Sequence, residues 1–193
     1  MLSQGTVPTR RRLRTAGYLA MASAILAIPW FLFSYNVTDR NDPVIRVAEA
    51  SMLVGSLALL IYLLVTFQQL LNRRYAFHHA NKTISLIIQA NVTLTANSLL
   101  GIAIPELGGP VRIMGFILVV IAGILQMMFG IWLLQLPASL GGLHRPYCYI
   151  NVITGFAFAS VVLLPLGMVT NCIADIMLGT IFMQVALPKP GTE

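Results

Sequence analysis

The sequence predicts an all-α fold: a polytopic bundle of six transmembrane helices with both termini in the cytoplasm. Two observations carry this prediction. Of the 193 residues, 58% are apolar and only 9% are charged, against about 25% charged residues in a typical soluble domain. The apolar residues also fall into long runs, and about 20 such residues span the hydrocarbon core of a bilayer. This composition excludes a soluble enzyme, a nucleic-acid-binding domain and a disordered tail.

Four uncharged runs supply the first four predicted spans, at residues 15–35, 50–72, 83–105 and 113–142. Each run is long enough to cross a hydrocarbon core of about 30 Å as a helix. The loops between the runs are short and leave no room for a soluble domain. The predicted organisation is therefore a basic N-terminal segment at 1–14, one transmembrane domain at 15–187 and a tail at 188–193.

The last run, residues 147–187, is interrupted by a single charge at Asp175. As one helix it would be about 60 Å long, which is twice the thickness of the hydrocarbon core. The segment 164–167, Leu-Pro-Leu-Gly, lies in its middle, and proline and glycine both favour a break in a helix. We expect a fifth span at 147–166 and a sixth at 168–187. One long kinked helix, giving five spans, is the alternative.

Loop charges predict the orientation of the bundle, because cytoplasmic loops carry an excess of Lys and Arg. With the N-terminus inside, nine of the twelve basic residues fall on the inner side and three on the outer side. The inner set is Arg10, Arg11, Arg12, Arg14, Arg73, Arg74, Lys82, Arg145 and Lys189, and the outer set is Arg40, Arg46 and Arg112. The prediction is a multi-pass protein of the cell (inner) membrane with a cytoplasmic N-terminus. We expect Arg73, Arg74 and Lys82 to contact anionic lipid headgroups.

Small residues at helical spacing predict where helices pack against each other, because lipid-embedded helices associate through close backbone approach. The spacing recurs in the first, fourth and sixth spans, at Ala16, Ala20, Ala24, Gly123, Gly130 and Gly179. The partner of these seams is either another helix of this chain, a second copy or another membrane protein.

The third span is the most polar. Ser85, Gln89, Thr93 and Asn97 recur every four residues along one stripe, and Asn91, Thr95 and Ser98 form a second stripe on roughly the opposite side. Unpaired polar groups are costly in hydrocarbon, so we expect this helix in the middle of the bundle. Its polar groups either bond to neighbouring helices or line a path for a solute.

Asp175 is the only ionisable residue placed well inside a predicted span. An intramembrane acid is costly and marks a candidate functional site. The partners we expect for it on the third, fourth and sixth spans are Gln89, Asn91, Asn97, Gln126 and Asn171. The candidate solute or proton site consists of Asp175, Asn171, Gln89, Thr93, Asn97 and Gln126. The alternative is a buried hydrogen-bonding group with a structural role.

Catalytic and cofactor motifs are absent from the sequence. It has no His-Glu-x-x-His, no Gly-x-Ser-x-Gly and no phosphate-binding Gly-Lys-Ser/Thr loop. The three histidines lie in predicted loops, which disfavours a membrane-embedded haem. We therefore expect no cofactor, no metal site and no catalytic residue. An enzyme would have to rest on Asp175, Asn171 and Cys172, which leaves this class open but disfavoured.

Short segments at several predicted span ends occur in a characteristic order. They are Arg14-Thr15-Ala16-Gly17-Tyr18-Leu19, Ile131-Trp132-Leu133-Leu134, Arg145-Pro146-Tyr147 with Ile153-Thr154-Gly155, and Ile176-Met177-Leu178-Gly179-Thr180-Ile181-Phe182. In this order of features the chain resembles an uncharacterised bacterial family of small six-helix integral membrane proteins. The family has no agreed activity, so the resemblance implies a fold and no site.

These observations leave two main hypotheses for function. The polar third span and Asp175 favour binding or transport of a small solute or ion through a polar intramembrane site. The short loops and small-residue seams favour a non-catalytic accessory or assembly subunit of a larger membrane complex. We expect the first. The expected partners are the lipid bilayer and a membrane protein or a second copy of the chain, and no nucleic acid.

Overall fold

The computed structural model describes residues 9–37, 42–136 and 142–187, and for 30–37 it describes the backbone alone. In these ranges the chain forms six α-helices and no strand, which confirms the all-α prediction. The helices are α1 (Arg10–Val37), α2 (Pro43–Arg74), α3 (Asn81–Ala103), α4 (Gly108–Leu134), α5 (His144–Ala159) and α6 (Leu164–Ala186), with a 3₁₀ turn at Pro105–Leu107 between α3 and α4.

Some helix ends differ from the predicted spans. The first helix begins at Arg10, so residues 10–14, with all four arginines of the basic N-terminal segment, belong to α1. The second begins at Pro43, seven positions before the predicted span, because the Asp42 side chain accepts a hydrogen bond from the backbone N–H of Val44 at 2.9 Å and caps it. Proline fits this first position, where its missing N–H costs nothing. Arg40 and Lys189, which the charge count used, lie outside the described residues.

The chain reverses between α5 and α6, and it forms two helices rather than one long kinked helix. The reversal occupies residues 160–163, with Val161 at a positive φ of 58°, whereas the sequence predicted the break at 164–167. The difference comes from Pro165, which lies in the first turn of α6, where proline is tolerated. Proline therefore marks the beginning of this helix and not the turn before it.

The six helices form a closed ring. Each helix packs against the next one along the chain, and α1 packs against α6. In the described ranges α3 contacts only α2, α4 and the 3₁₀ turn. The expectation that α3 lies in the middle of the bundle is therefore wrong. It is one wall of the ring, with one polar stripe turned inward and the other outward.

The two tightest seams are built on glycine. In the α1–α6 seam, a Cβ added to Gly179 would lie 2.8 Å from the carbonyl oxygen of Gly17 and 3.5 Å from the Cβ of Ala20. Ala16, Ala20 and Ala24 of α1 are all buried. In the α4–α5 seam, a Cβ on Gly123 would lie 2.7 Å from the carbonyl oxygen of Gly155, and one on Gly130 would lie 2.8 Å from that of Cys148. The small residues singled out from the sequence thus lie in seams within this chain.

An aromatic cluster fills the ring near the end where α2 and α6 finish and α3 begins. The ring of Phe67 lies edge-on to those of Phe129, Tyr147 and Phe182, with centroids 5.9–6.1 Å apart. All four side chains are buried. Edge-to-face pairs add about 0.5–1.5 kcal/mol each beyond area burial. We call Phe67, Phe129, Tyr147 and Phe182 the aromatic plug.

Among the described residues, four helical stretches are long and apolar enough to cross a membrane: Pro43–Arg74, Asn81–Ala103, Pro105–Leu134 and Leu164–Ala186. With 16 residues, α5 is only about 24 Å long. It lies in the ring between α4 and α6. Its outer face therefore continues the apolar outer surface that these two longer helices form.

Candidate functional site

A cavity of about 430 Å³ lies inside the ring, next to the aromatic plug. All six helices contribute to its wall. Phe129 and Tyr147 of the plug border it at one end, and Phe158, Leu164 and Met168 border it toward the α5–α6 reversal. The polar side chains that line it are Ser23, Ser56, Asn91, Thr95, Gln126, Asn151, Asn171 and Asp175. Ligand-binding cavities in proteins commonly measure about 300–1,000 Å³, so the size suits a small molecule.

Three carboxamide side chains from three helices meet at one side of the cavity. The Nε2 group of Gln126 donates to Oδ1 of Asn151 at 3.4 Å and to Oδ1 of Asn171 at 3.3 Å. Asn151 is buried, and its Nδ2 donates to the backbone carbonyl of Tyr147 at 2.8 Å. We call Gln126, Asn151 and Asn171 the amide cluster. It joins α4, α5 and α6 through groups that face the cavity.

Asp175 lines the cavity one helical turn beyond Asn171, near the middle of α6. Its neighbours include Tyr147, which is close enough to interact with it electrostatically. Within the described residues the carboxyl group has no ion pair and no hydrogen bond. The lining residues contain no Lys, Arg or His. Asp175 is therefore the one group in the described lining that can carry a full charge at neutral pH.

The structure brings together half of the site residues predicted from the sequence. Asp175, Asn171 and Gln126 share the cavity wall, whereas Gln89 and Thr93 are exposed on the outside of α3. The hydroxyl of Thr93 donates to the backbone carbonyl of Gln89 at 3.0 Å. Asn97 instead donates through Nδ2 to the carbonyl oxygen of Val111 at 2.9 Å and ties α3 to α4.

The second polar stripe of α3 is the one that turns inward. Asn91 and Thr95 line the cavity, and Nδ2 of Asn91 donates to the carbonyl oxygen of Ile87 at 2.9 Å. Helical spacing separates the two stripes but does not say which one faces the ring. Which stripe faces the interior is determined by how α3 packs against its neighbours, α2 and α4.

Sequence reasoning missed Asn151, the most deeply buried member of the amide cluster. The available signal was a single carboxamide within the apolar stretch Tyr149-Ile150-Asn151-Val152-Ile153. A lone amide in such a stretch needs a partner, because an unpaired polar group in hydrocarbon is costly.

The three residues predicted to contact lipid headgroups, Arg73, Arg74 and Lys82, are exposed at the end of the ring next to the aromatic plug. Arg74 also donates through Nη1 to the backbone carbonyl of Val185 at 2.8 Å. This hydrogen bond satisfies a free carbonyl in the last turn of α6, so Arg74 has a structural partner as well as an exposed surface.

The described residues contain no group of three or more His, Cys, Asp or Glu side chains that could hold a metal ion. Comparison with protein-family models, with curated proteins and with solved structures finds no match for this chain. The described residues thus enclose a partly polar cavity, with one carboxyl group in its wall, inside a ring of apolar helices.

Proposed function

We propose that the protein binds a small solute in the cavity and carries it across the cell's inner membrane as a six-span bundle with a cytoplasmic N-terminus. The observation that carries the proposal is the cavity itself. Six helices surround it, and side chains from four of them supply carboxamide or carboxyl groups to one space. If these polar groups served only to hydrogen-bond neighbouring helices, the helices could pack together without a cavity. The structure instead has a cavity of about 430 Å³ beside these groups.

The position of the aromatic plug supports a transport cycle. With the N-terminus inside, the plug lies between the cavity and the cytoplasm, because it sits toward the end that carries Arg73, Arg74 and Lys82. The cavity then faces the outer half of the membrane. A solute that enters from that side would be held above the plug until the helices rearrange.

The packing seams favour this function over that of an accessory subunit. The case for an accessory subunit rested on short loops, on the absence of catalytic motifs and on small residues available to a partner, and the structure bears on the last of these. Ala16, Ala20 and Gly179 are buried between α1 and α6, and Gly123 is buried against α5. These seams are occupied within the chain, so they offer no obvious docking face. Recovery of the chain with a stoichiometric second protein in mild detergent would favour the accessory role instead.

A ligand screen with cavity-filling variants tests the proposal. The full chain is reconstituted in lipid nanodiscs, and its melting temperature is measured against a broad set of small solutes. A ligand that binds only the folded state raises this temperature. Ala122→Trp fills the cavity from α4. Ile121→Trp is the matched control, because Ile121 precedes Ala122 and is 43% exposed on the outside of the ring.

We expect at least one solute to raise the melting temperature of the wild type and of Ile121→Trp, and to have no effect on Ala122→Trp. The same solute should enter proteoliposomes that contain the wild type. If Ala122→Trp is poorly folded, Ala122→Leu serves as a variant that fills less of the cavity. A wild-type melting temperature that no solute changes would rule out the proposal.

A further inference from the structure

The lining of the cavity points to the chemical class of its ligand. We propose that the cavity takes an organic monocation, a protonated amine with an apolar body, and that Asp175 is its counter-ion. This inference rests on the proposed function and narrows it. The charge, the hydrogen-bonding groups and the walls of the cavity each support one part of it.

The charge of the lining sets the sign and number of charges on the ligand. Asp175 is the only side chain in the described wall that can carry a full charge at neutral pH, and the wall contains no Lys, Arg or His. A partly buried carboxylate without a counter-charge is less stable than one that is paired with a cation. A ligand with one positive charge compensates it, whereas an anion is repelled and a dication brings a second, uncompensated charge.

The amide cluster indicates a cation that carries N–H groups. Nε2 of Gln126 donates to both asparagine oxygens, and the Oε1 atom of the same side chain accepts no hydrogen bond from the described residues. Gln126 belongs to the same cavity wall as Asp175. A protonated amine can donate to the carboxylate and to such an amide oxygen together. A quaternary ammonium ion has no N–H and leaves both acceptors unmatched.

The remaining wall indicates an organic body rather than a bare metal ion. Leucine side chains and the rings of Phe129 and Phe158 make up much of the lining. Apolar walls stabilise the buried carbon skeleton of a ligand, and aromatic faces attract a cation. A cavity of about 430 Å³ is far larger than an inorganic cation needs. An amine with a single ring or a short branched chain fits it.

Three probes that differ mainly in charge test this inference: phenethylammonium chloride, phenethyl alcohol and sodium phenylacetate. Binding to the full chain is measured by thermal shift and by calorimetry. The nanodiscs contain only zwitterionic lipid, so that the membrane surface does not concentrate the amine, and empty nanodiscs supply the background. Asp175→Asn removes the charge and keeps the shape of the side chain. Glu106→Gln is the control, because Glu106 is an exposed acid of the 3₁₀ turn, outside the cavity.

We expect the wild type and Glu106→Gln to bind phenethylammonium, and to bind the alcohol and the anion at least about tenfold more weakly. Asp175→Asn should weaken amine binding by about 30-fold or more, which is the usual scale for removing one partner of a buried charge pair. It should leave binding of the alcohol unchanged. The comparison of the three probes on the wild type needs no variant, so it stands even if Asp175→Asn folds poorly.

Two results would overturn the inference, and they have different consequences for the proposed function. Equal affinity for the amine and the alcohol, unchanged in Asp175→Asn, would mean that the cavity binds solutes without selecting a charge, and transport of another solute class would remain supported. If none of the probes binds and the broad solute screen is also negative, both the inference and the proposed function fail.

Discussion

Gln126 is the residue through which three helices share the polar side of the cavity. Its amide nitrogen donates to Asn151 on α5 and to Asn171 on α6. Both hydrogen bonds are long, and interhelical hydrogen bonds in membrane proteins contribute about 0.6 kcal/mol on average. The cluster therefore contributes little to stability. We attribute its role to holding donors and acceptors in fixed positions beside Asp175.

This assignment predicts a modest loss of stability and a large loss of binding in Gln126→Leu. Two asparagine oxygens lose their shared donor, so the free energy of unfolding should fall by about 1 kcal/mol. Solute-induced stabilisation in the nanodisc assay should disappear. Gln135→Leu is the control, because Gln135 is exposed just after the last residue of the same helix. Undiminished solute binding in Gln126→Leu would exclude the amide cluster from the site.

At the scale of single residues, the sequence predicted part of the site. Asp175, Asn171 and Gln126 stand out because each is a polar group in an otherwise apolar run. Asn151 gives the same signal and was missed. Gln89, Thr93 and Asn97 were assigned to the site but do not line the cavity, whereas Asn91 was named only as a partner of Asp175 and Thr95 was left out. Helical spacing groups residues into faces without showing which face meets a neighbour.

At the scale of helices, glycine sets how closely the walls of the ring approach. The α4–α5 seam is the clearest case. A Cβ on Gly155 would lie 2.5 Å from the carbonyl oxygen of Gly123, which is closer than real contacts allow. The two backbones touch there, so even a methyl group requires the helices to move apart.

Gly155→Ala should therefore lower the free energy of unfolding by about 1–3 kcal/mol, the usual cost of overpacking. Gly55→Ala is the matched control within α2. A Cβ at Gly55 meets nothing within 4 Å, and alanine in a helix is favoured over glycine by about 0.5–1 kcal/mol. Denaturation in detergent measures both variants. Equal effects of the two substitutions would contradict the assigned seam.

Most helices could be predicted from the sequence, because hydrophobic length and charge placement determine where a membrane span lies. Helix ends are less predictable. Leu164 and Pro165 looked like the centre of a turn and instead begin α6. The turn itself contains Ser160 and three apolar residues, 161–163, and carries no glycine or proline to mark it.

For the whole molecule, the orientation in the membrane is a prediction from the distribution of charge. Labelling of single cysteines by a membrane-impermeant maleimide tests it in a background in which the two buried free cysteines, Cys148 and Cys172, are replaced by alanine. We expect Glu106→Cys and Val162→Cys to react in intact cells, because both sites are exposed in turns that six spans would place on the outer side. His78→Cys should react only after permeabilisation. Labelling of His78→Cys and Val162→Cys from the same side would contradict six spans.

Closure of the ring could not be predicted from the sequence. The small residues of α1 and α6 indicated that each helix has a close partner, yet nothing in the pattern paired Gly17 with Gly179. That contact joins α1 to α6 and closes the ring around the cavity. The cavity is therefore a property of the complete ring and of no single motif.

Access of water to the cavity tests the central claim most directly. In the same cysteine-free background, Asn91→Cys places a thiol in the cavity wall and Gln89→Cys places one on the outer face of α3. Their reaction rates are measured with a cationic and an anionic methanethiosulfonate reagent. A water-filled cavity that contains the Asp175 carboxylate predicts that Asn91→Cys reacts about tenfold or more faster with the cationic reagent, while Gln89→Cys, facing lipid, does not react. An unreactive Asn91→Cys would mean a dry seam between helices and would contradict the account.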